Sequence, residues 1–120
     1  MVTNQSRLGR REREQQSAAL AALGDDTRRA IVERLARGPL PVGELAAGLP
    51  VSRSAVSQHL AALKASGLVI DRAEGTRRIY RLDPAGIDLL RTYLDRMWAS
   101  ALENLHNTVD LTTEPRRRLR

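Results

Sequence analysis

The chain has 120 residues, no cysteine, two histidines and a net charge of +6 at neutral pH. That length suits one domain whose core is small enough to gain from dimerisation. The lack of cysteine excludes disulfides, thiolate metal sites and thiol redox sensing; no apolar run is long enough to span a bilayer, so the expectation is a cytoplasmic protein with no membrane attachment.

Residues 1–13 and 114–120 each hold four arginines and one glutamate, which leaves residues 14–113 neutral overall. The first segment, 1–13, is polar and arginine-rich, and reads as a disordered basic arm. A folded domain is expected over 14–106. It opens with a short helix, Ser17 to Leu23, with Leu20 and Leu23 one turn apart and Gly24 ending it. Asp26 is the expected N-cap of a second helix, which carries Ile31, Val32 and Leu35 on one face and stops at Gly38-Pro39. Pro41 to Leu49 reads as a third helix with Val42, Leu45, Ala46 and Leu49 inward. Gly48-Leu49-Pro50 turns the chain, and Ser52 caps a fourth helix over 52–66.

This fourth helix has two faces of different kinds. Val56, Leu60 and Leu63 recur at core spacing. Arg53, Ser54, Ser57, Gln58 and Lys64 are short or planar hydrogen-bonding groups and cations, suited to base edges and phosphates in a major groove. Two serines on one exposed face favour close approach over helix stability. A short helix, a tight turn and a helix of this chemistry make a helix-turn-helix. After Gly67 the period changes from 3.6 to 2, with a turn signal at Glu74-Gly75-Thr76. Residues 68–82 therefore read as a hairpin, a wing with Arg77 and Arg78 near its tip. Over 52–81 six cations face two acids, so the basic patch coincides with the helix and the wing. Asp83-Pro84 starts a last helix over 84–106. Its stripe of Ile87, Leu90, Leu94, Met97, Trp98, Ala101 and Leu105 exceeds what so small a body can cover. Leu20, Leu23, Leu90, Leu94, Met97, Trp98, Ala101 and Leu105 are the expected dimer interface. Residues 107–120 read as a disordered basic tail.

The fold class is thus mainly α with a β-hairpin wing, in the order α-α-α-α-β-β-α, as a dimer. An enzyme is set aside because there is no cysteine, no Gly-rich phosphate loop, only two histidines and no clustered acid pair. The remaining alternative is a winged-helix protein–protein interaction module, against which the basic patch argues. No cofactor is expected. Glu103 and His106 read as an exposed pair near a fraying end. Asp95 and His106 lie roughly 16 Å apart along one helix, which leaves only an inter-subunit metal site involving Asp95, Glu103 or His106 open.

The order of elements resembles the ArsR family of winged-helix repressors. The motifs carrying the resemblance are Leu23 to Ile31, Val42-Gly43-Glu44-Leu45-Ala46, Ser52 to Leu63 with Gly67-Leu68-Val69, and Gly75 to Leu82. Asp83-Pro84 and Met97-Trp98 look most like the metal-independent autorepressor branch. The resemblance implies a homodimer on an imperfect inverted repeat of double-stranded DNA. It implies contacts from Ser54, Ser57, Gln58 and His59, with Arg77 and Arg78 serving the wing. By its own neighbours, Val56 and Leu63, His59 could instead be a structural residue bonded within the motif; the resemblance, which places a histidine there, favours DNA contact. The chain departs from metal-sensing members: Glu44-Leu45-Ala46-Ala47 lacks their cysteines, and Asp95 is followed two residues on by Met97 rather than His. The signal, an effector or a sensor protein, stays open.

Overall fold

Local signals place most of the elements. The computed structural model describes the backbone of residues 2–118 and the side chains of residues 9–108. The order is α1 (Val2–Ala22), α2 (Asp26–Leu35), β1 (Leu40–Pro41), α3 (Val42–Ala47), α4 (Arg53–Ala65), β2 (Val69–Glu74), β3 (Arg77–Leu82) and α5 (Pro84–Arg118). The chain divides into two compact units, Met1–Leu90 and Arg91–Arg120.

Four boundaries differ from the sequence reading. First, α1 extends back through the arm, so that residues 9–13 are helical rather than disordered. Arg10 to Gln16 are all good helix formers, and the Gln16 amide, 2% exposed, donates to the Leu89 carbonyl at 2.9 Å. At the other end, α5 continues past His106 into the expected tail. The N-cap of α2 is Asp25, not Asp26. Asp25 has extended backbone (φ −92°, ψ 132°) and accepts from the Arg28 N–H at 2.9 Å, whereas Asp26 is the first helical residue and pairs with Arg29. Finally, α3 begins after Pro41. Leu40 and Pro41 form an extra strand that pairs antiparallel with Tyr80 and Ile79 of the wing. Two residues carry no readable alternation, and only the partner strand makes them β.

The sheet order is β1-β3-β2, and β2 and β3 are joined by the two-residue turn Gly75-Thr76. Beneath it lies one core. Ile31 and Leu35 of α2, Leu45 of α3, Val56, Leu60 and Leu63 of α4, Leu68, Val69 and Leu90 are all buried. Of the expected dimer residues, Leu90 is 8% exposed and lies in this core, whereas Leu20 and Leu23 are only partly buried against it.

The end of α4 sets where the wing leaves. The Leu68 N–H reaches the Leu63 carbonyl and the Gly67 N–H the Lys64 carbonyl, the paired bonds of a Schellman cap. That cap requires a left-handed residue, and Gly67 has φ +84°. The start of α5 then packs against this turn. A Cβ on Gly86 would lie 1.7 Å from the Gly67 carbonyl oxygen.

Candidate nucleic-acid interface

Ser52 caps α4, its Oγ accepting from the Ala55 N–H at 3.0 Å. With Val56, Leu60 and Leu63 fully buried, the helix has one orientation on the core. The opposite face is exposed and carries Arg53, Ser54, Ser57 and Gln58, with Lys64 at the end. Ala61 sits in the middle of this face, also exposed. The sequence reading passed over it, although a small residue between polar ones is what close approach to DNA needs. The Arg53 guanidinium lies beside Gly43 at the start of α3, which ties the two helices of the motif at their facing ends.

His59 is half-withdrawn from this face, its side chain 23% exposed. Its Nδ1 accepts from the Arg28 Nε–H at 3.3 Å, and the Asp25 carboxylate lies 3.8 Å away. With Nδ1 accepting, the ring proton belongs on Nε2. His59 therefore links α4 to the N-terminus of α2 through Nδ1. The two arginines of the wing tip diverge because side chains alternate along a strand. Arg77 lies 3.6 Å from Glu44 of α3, and Arg78 donates to Asp71 of β2 at 2.9 Å.

Asp71 is the residue that sequence reasoning missed. Its side chain is only 5% exposed, and its two oxygens take Lys64 Nζ at 2.7 Å and Arg78 Nη1 at 2.9 Å. The one available signal was an acid within a strand surrounded by cations. The Lys64 hydrogen bond, outweighing burial and assisted by Arg78, holds the Asp71 carboxyl below its ordinary 3.8. The Arg28 backbone N–H does the same for Asp25 at the cap of α2. A lowered carboxylate pKa stabilises the fold fully above 3.8, and the contribution is lost as pH falls through the lower folded value. Stability is thus expected to fall on acidification from about pH 4 downwards, and Asp71→Asn should flatten that fall, as read by thermal unfolding across the range. An unchanged acid limb in Asp71→Asn would remove the carboxylate from the account.

The second unit bears the remaining expected interface residues. Leu94, Met97, Trp98 and Leu105 are 41%, 51%, 66% and 53% exposed, Ala101 is exposed with them, and Leu102 at 45% joins the patch. No helix among the described residues is long and apolar enough to cross a membrane.

A helix-turn-helix (α3–α4) backed by a hairpin wing defines a winged helix-turn-helix protein of the DNA-binding regulator class. Comparison with known proteins agrees. Residues 25–71 match the family described as bacterial regulatory protein, arsR family. HTH-type transcriptional regulator Rv2034 of Mycobacterium tuberculosis is 63% identical over 92 residues, which are 77% of this chain and 86% of that protein. The arsenical resistance operon repressor of Escherichia coli is 36% identical over 88 residues, 72% of this chain and 75% of that protein. A solved homodimeric winged helix-turn-helix DNA-binding domain, Mb0332 of Mycobacterium bovis, superposes with a TM-score of 0.58 at 33% identity, covering 73% of this chain and 80% of that one. The chain belongs to the ArsR family of transcriptional regulators.

Proposed function

We propose that the chain acts as a homodimeric repressor on an inverted-repeat operator. The observation that carries this reading is the face of α4. Ser54, Ser57 and Gln58 are exposed together on a helix whose other side is fully buried. Two such helices, one per subunit, enter successive major grooves roughly 34 Å apart. Gln58 has the amide geometry for a bidentate bond to adenine, and Ser54 and Ser57 reach base edges or phosphates. Arg53, Lys64, Arg77 and Arg78 engage phosphates, which makes affinity fall with salt. His59 has its Nε2–H to offer while Nδ1 holds Arg28. The exposed stripe from Leu94 to Leu105 pairs with its copy. The repressor sign is drawn from the Escherichia coli relative.

The test is fluorescence anisotropy on DNA upstream of the chain's own gene, with random duplex as competitor. Two monomers per site and competitor-resistant binding are expected. Gln58→Ala should cut the operator-to-random ratio by about tenfold or more, since one bidentate base contact contributes roughly 1–3 kcal/mol of discrimination. Wild-type binding no tighter than to random DNA, there and on a selected duplex library, would leave the interaction-module reading. A reporter whose transcription rises with the protein would reverse the sign.

A further inference from the structure

We propose that Asp71 is a positioning residue for DNA binding: it gathers Lys64 of α4 and Arg78 of β3 on one carboxylate, so that their remaining donors meet the phosphate backbone as a unit. This rests on the reading that the α4 face and the wing bind DNA.

The geometry is specific. Asp71 pairs with Tyr80 across the hairpin, which places Arg78 on its diagonal, on the same face of the sheet. Lys64 comes from the last turn of α4. One buried side chain thereby joins the recognition helix to both strands of the wing. The cations themselves stay 55% and 54% exposed. An ammonium carries three donors and a guanidinium five. Asp71 takes one bond from each, and the others are left for a ligand.

Two physical effects of this acid have opposite signs. A negative charge beside a phosphate backbone repels it, so electrostatics alone makes Asp71 unfavourable for DNA binding. Lys64 and Arg78, however, are long and rotamer-rich. Ordering them before DNA arrives removes that cost from the binding step. It also fixes the wing relative to the helix, so that phosphate contacts and base contacts are made in one register. Asp71 is favourable for specific binding if the second effect exceeds the first. Both partners already converge on it in the free protein, which is the condition for the second effect to operate.

Asp71→Asn decides the sign, because it keeps the shape and removes the charge. Binding of the full chain to operator and to random duplex is measured at several salt concentrations, with melting temperature as the folding control. The expected result is operator affinity lower by about tenfold, with a log–log salt slope shallower by about 0.9 for each phosphate that is no longer neutralised. Affinity for random DNA should hold or rise. Operator binding that is unchanged or tighter overturns the proposal. If wild-type protein shows no preference for operator, the DNA-binding reading itself fails; if it does and Asp71→Asn matches it, only the role of Asp71 fails.

A cycle on the exposed partners covers the case in which Asp71→Asn does not fold. Lys64→Gln, Arg78→Gln and the double variant should be non-additive, the double losing less than the product of the single losses. Independent losses that multiply would mean that the two cations act separately, and the proposal would fall.

Discussion

Trp98→Glu is expected to turn a dimer into a monomer and to abolish operator binding at concentrations where the parent is saturated. Trp98 is 66% exposed and lies among Leu94, Met97, Leu102 and Leu105, all more than 40% exposed. So many large apolar side chains in water on one helix mark a surface that another surface covers. A buried tryptophan at an interface typically contributes about 2 kcal/mol or more. In a two-fold dimer each substitution is made twice. The dimer constant should therefore weaken by roughly 10³-fold, from about 4 kcal/mol, before the cost of burying two carboxylates is counted. A monomer presents one recognition helix and loses the second half-site. Light scattering reads the mass, and anisotropy on the operator reads the binding. Because the side chain is exposed within the subunit, no packing inside the core unit is lost, and any fall in Tm reports the lost stabilisation by the partner. A Trp98→Glu protein that stays dimeric and binds normally would place the interface elsewhere.

Gly86→Ala should produce the largest loss of stability among the glycine-to-alanine changes. The new Cβ would lie 1.7 Å from the Gly67 carbonyl oxygen and 2.8 Å from its carbon. Both are backbone atoms, so no side-chain rotation relieves the clash. The obstructing residue is itself held by the cap of α4, through the Gly67 N–H to Lys64 and the Leu68 N–H to Leu63. Either α5 moves off the turn or the cap opens. The expected cost is about 3 kcal/mol, at the upper end for overpacking, which for a domain of this size is on the order of 15 °C in Tm. Gly43→Ala supplies the contrast. The nearest atoms to a Cβ there are those of the Arg53 guanidinium, at 3.8 Å, an ordinary van der Waals contact with a flexible side chain, in a helix where alanine is preferred. Equal losses at the two positions would show a general intolerance and not a close approach of two backbones.

The same two sites mark what could be read in advance. The apolar stripe of the last helix was visible as a stripe, and its excess over what one subunit can bury pointed to a partner. Periodicity could not say where along the stripe the core stops. Leu90 is covered by its own unit, while Leu94 is exposed. Gly86 carried no signal at all, since it lies in a helix, where glycine has no special φ to mark it.

By itself, the sequence determined the features governed by neighbours in the chain. These are the two-faced helix expected over 52–66, the Ser52 cap, the start of the last helix at Asp83-Pro84, where the Asp83 carboxylate accepts from the Ala85 N–H at 3.0 Å, the change of period at Gly67, the turn at Gly75 and the basic balance over 52–81. Each depends on interactions within a few residues, where spacing and side-chain type suffice. What the tertiary structure decided are partnerships across long separations. Leu40-Pro41 becomes a strand only because Ile79 and Tyr80 pair with it. His59, a DNA-contact candidate in the sequence, also fastens α4 to α2, because Arg28 on another helix donates to its Nδ1. Lys64 and Arg78, two members of one basic patch in the sequence, meet on Asp71. Local periodicity fixes which side chains share a face, but it does not encode which distant residue that face will meet, and the pairing of charges is settled only there.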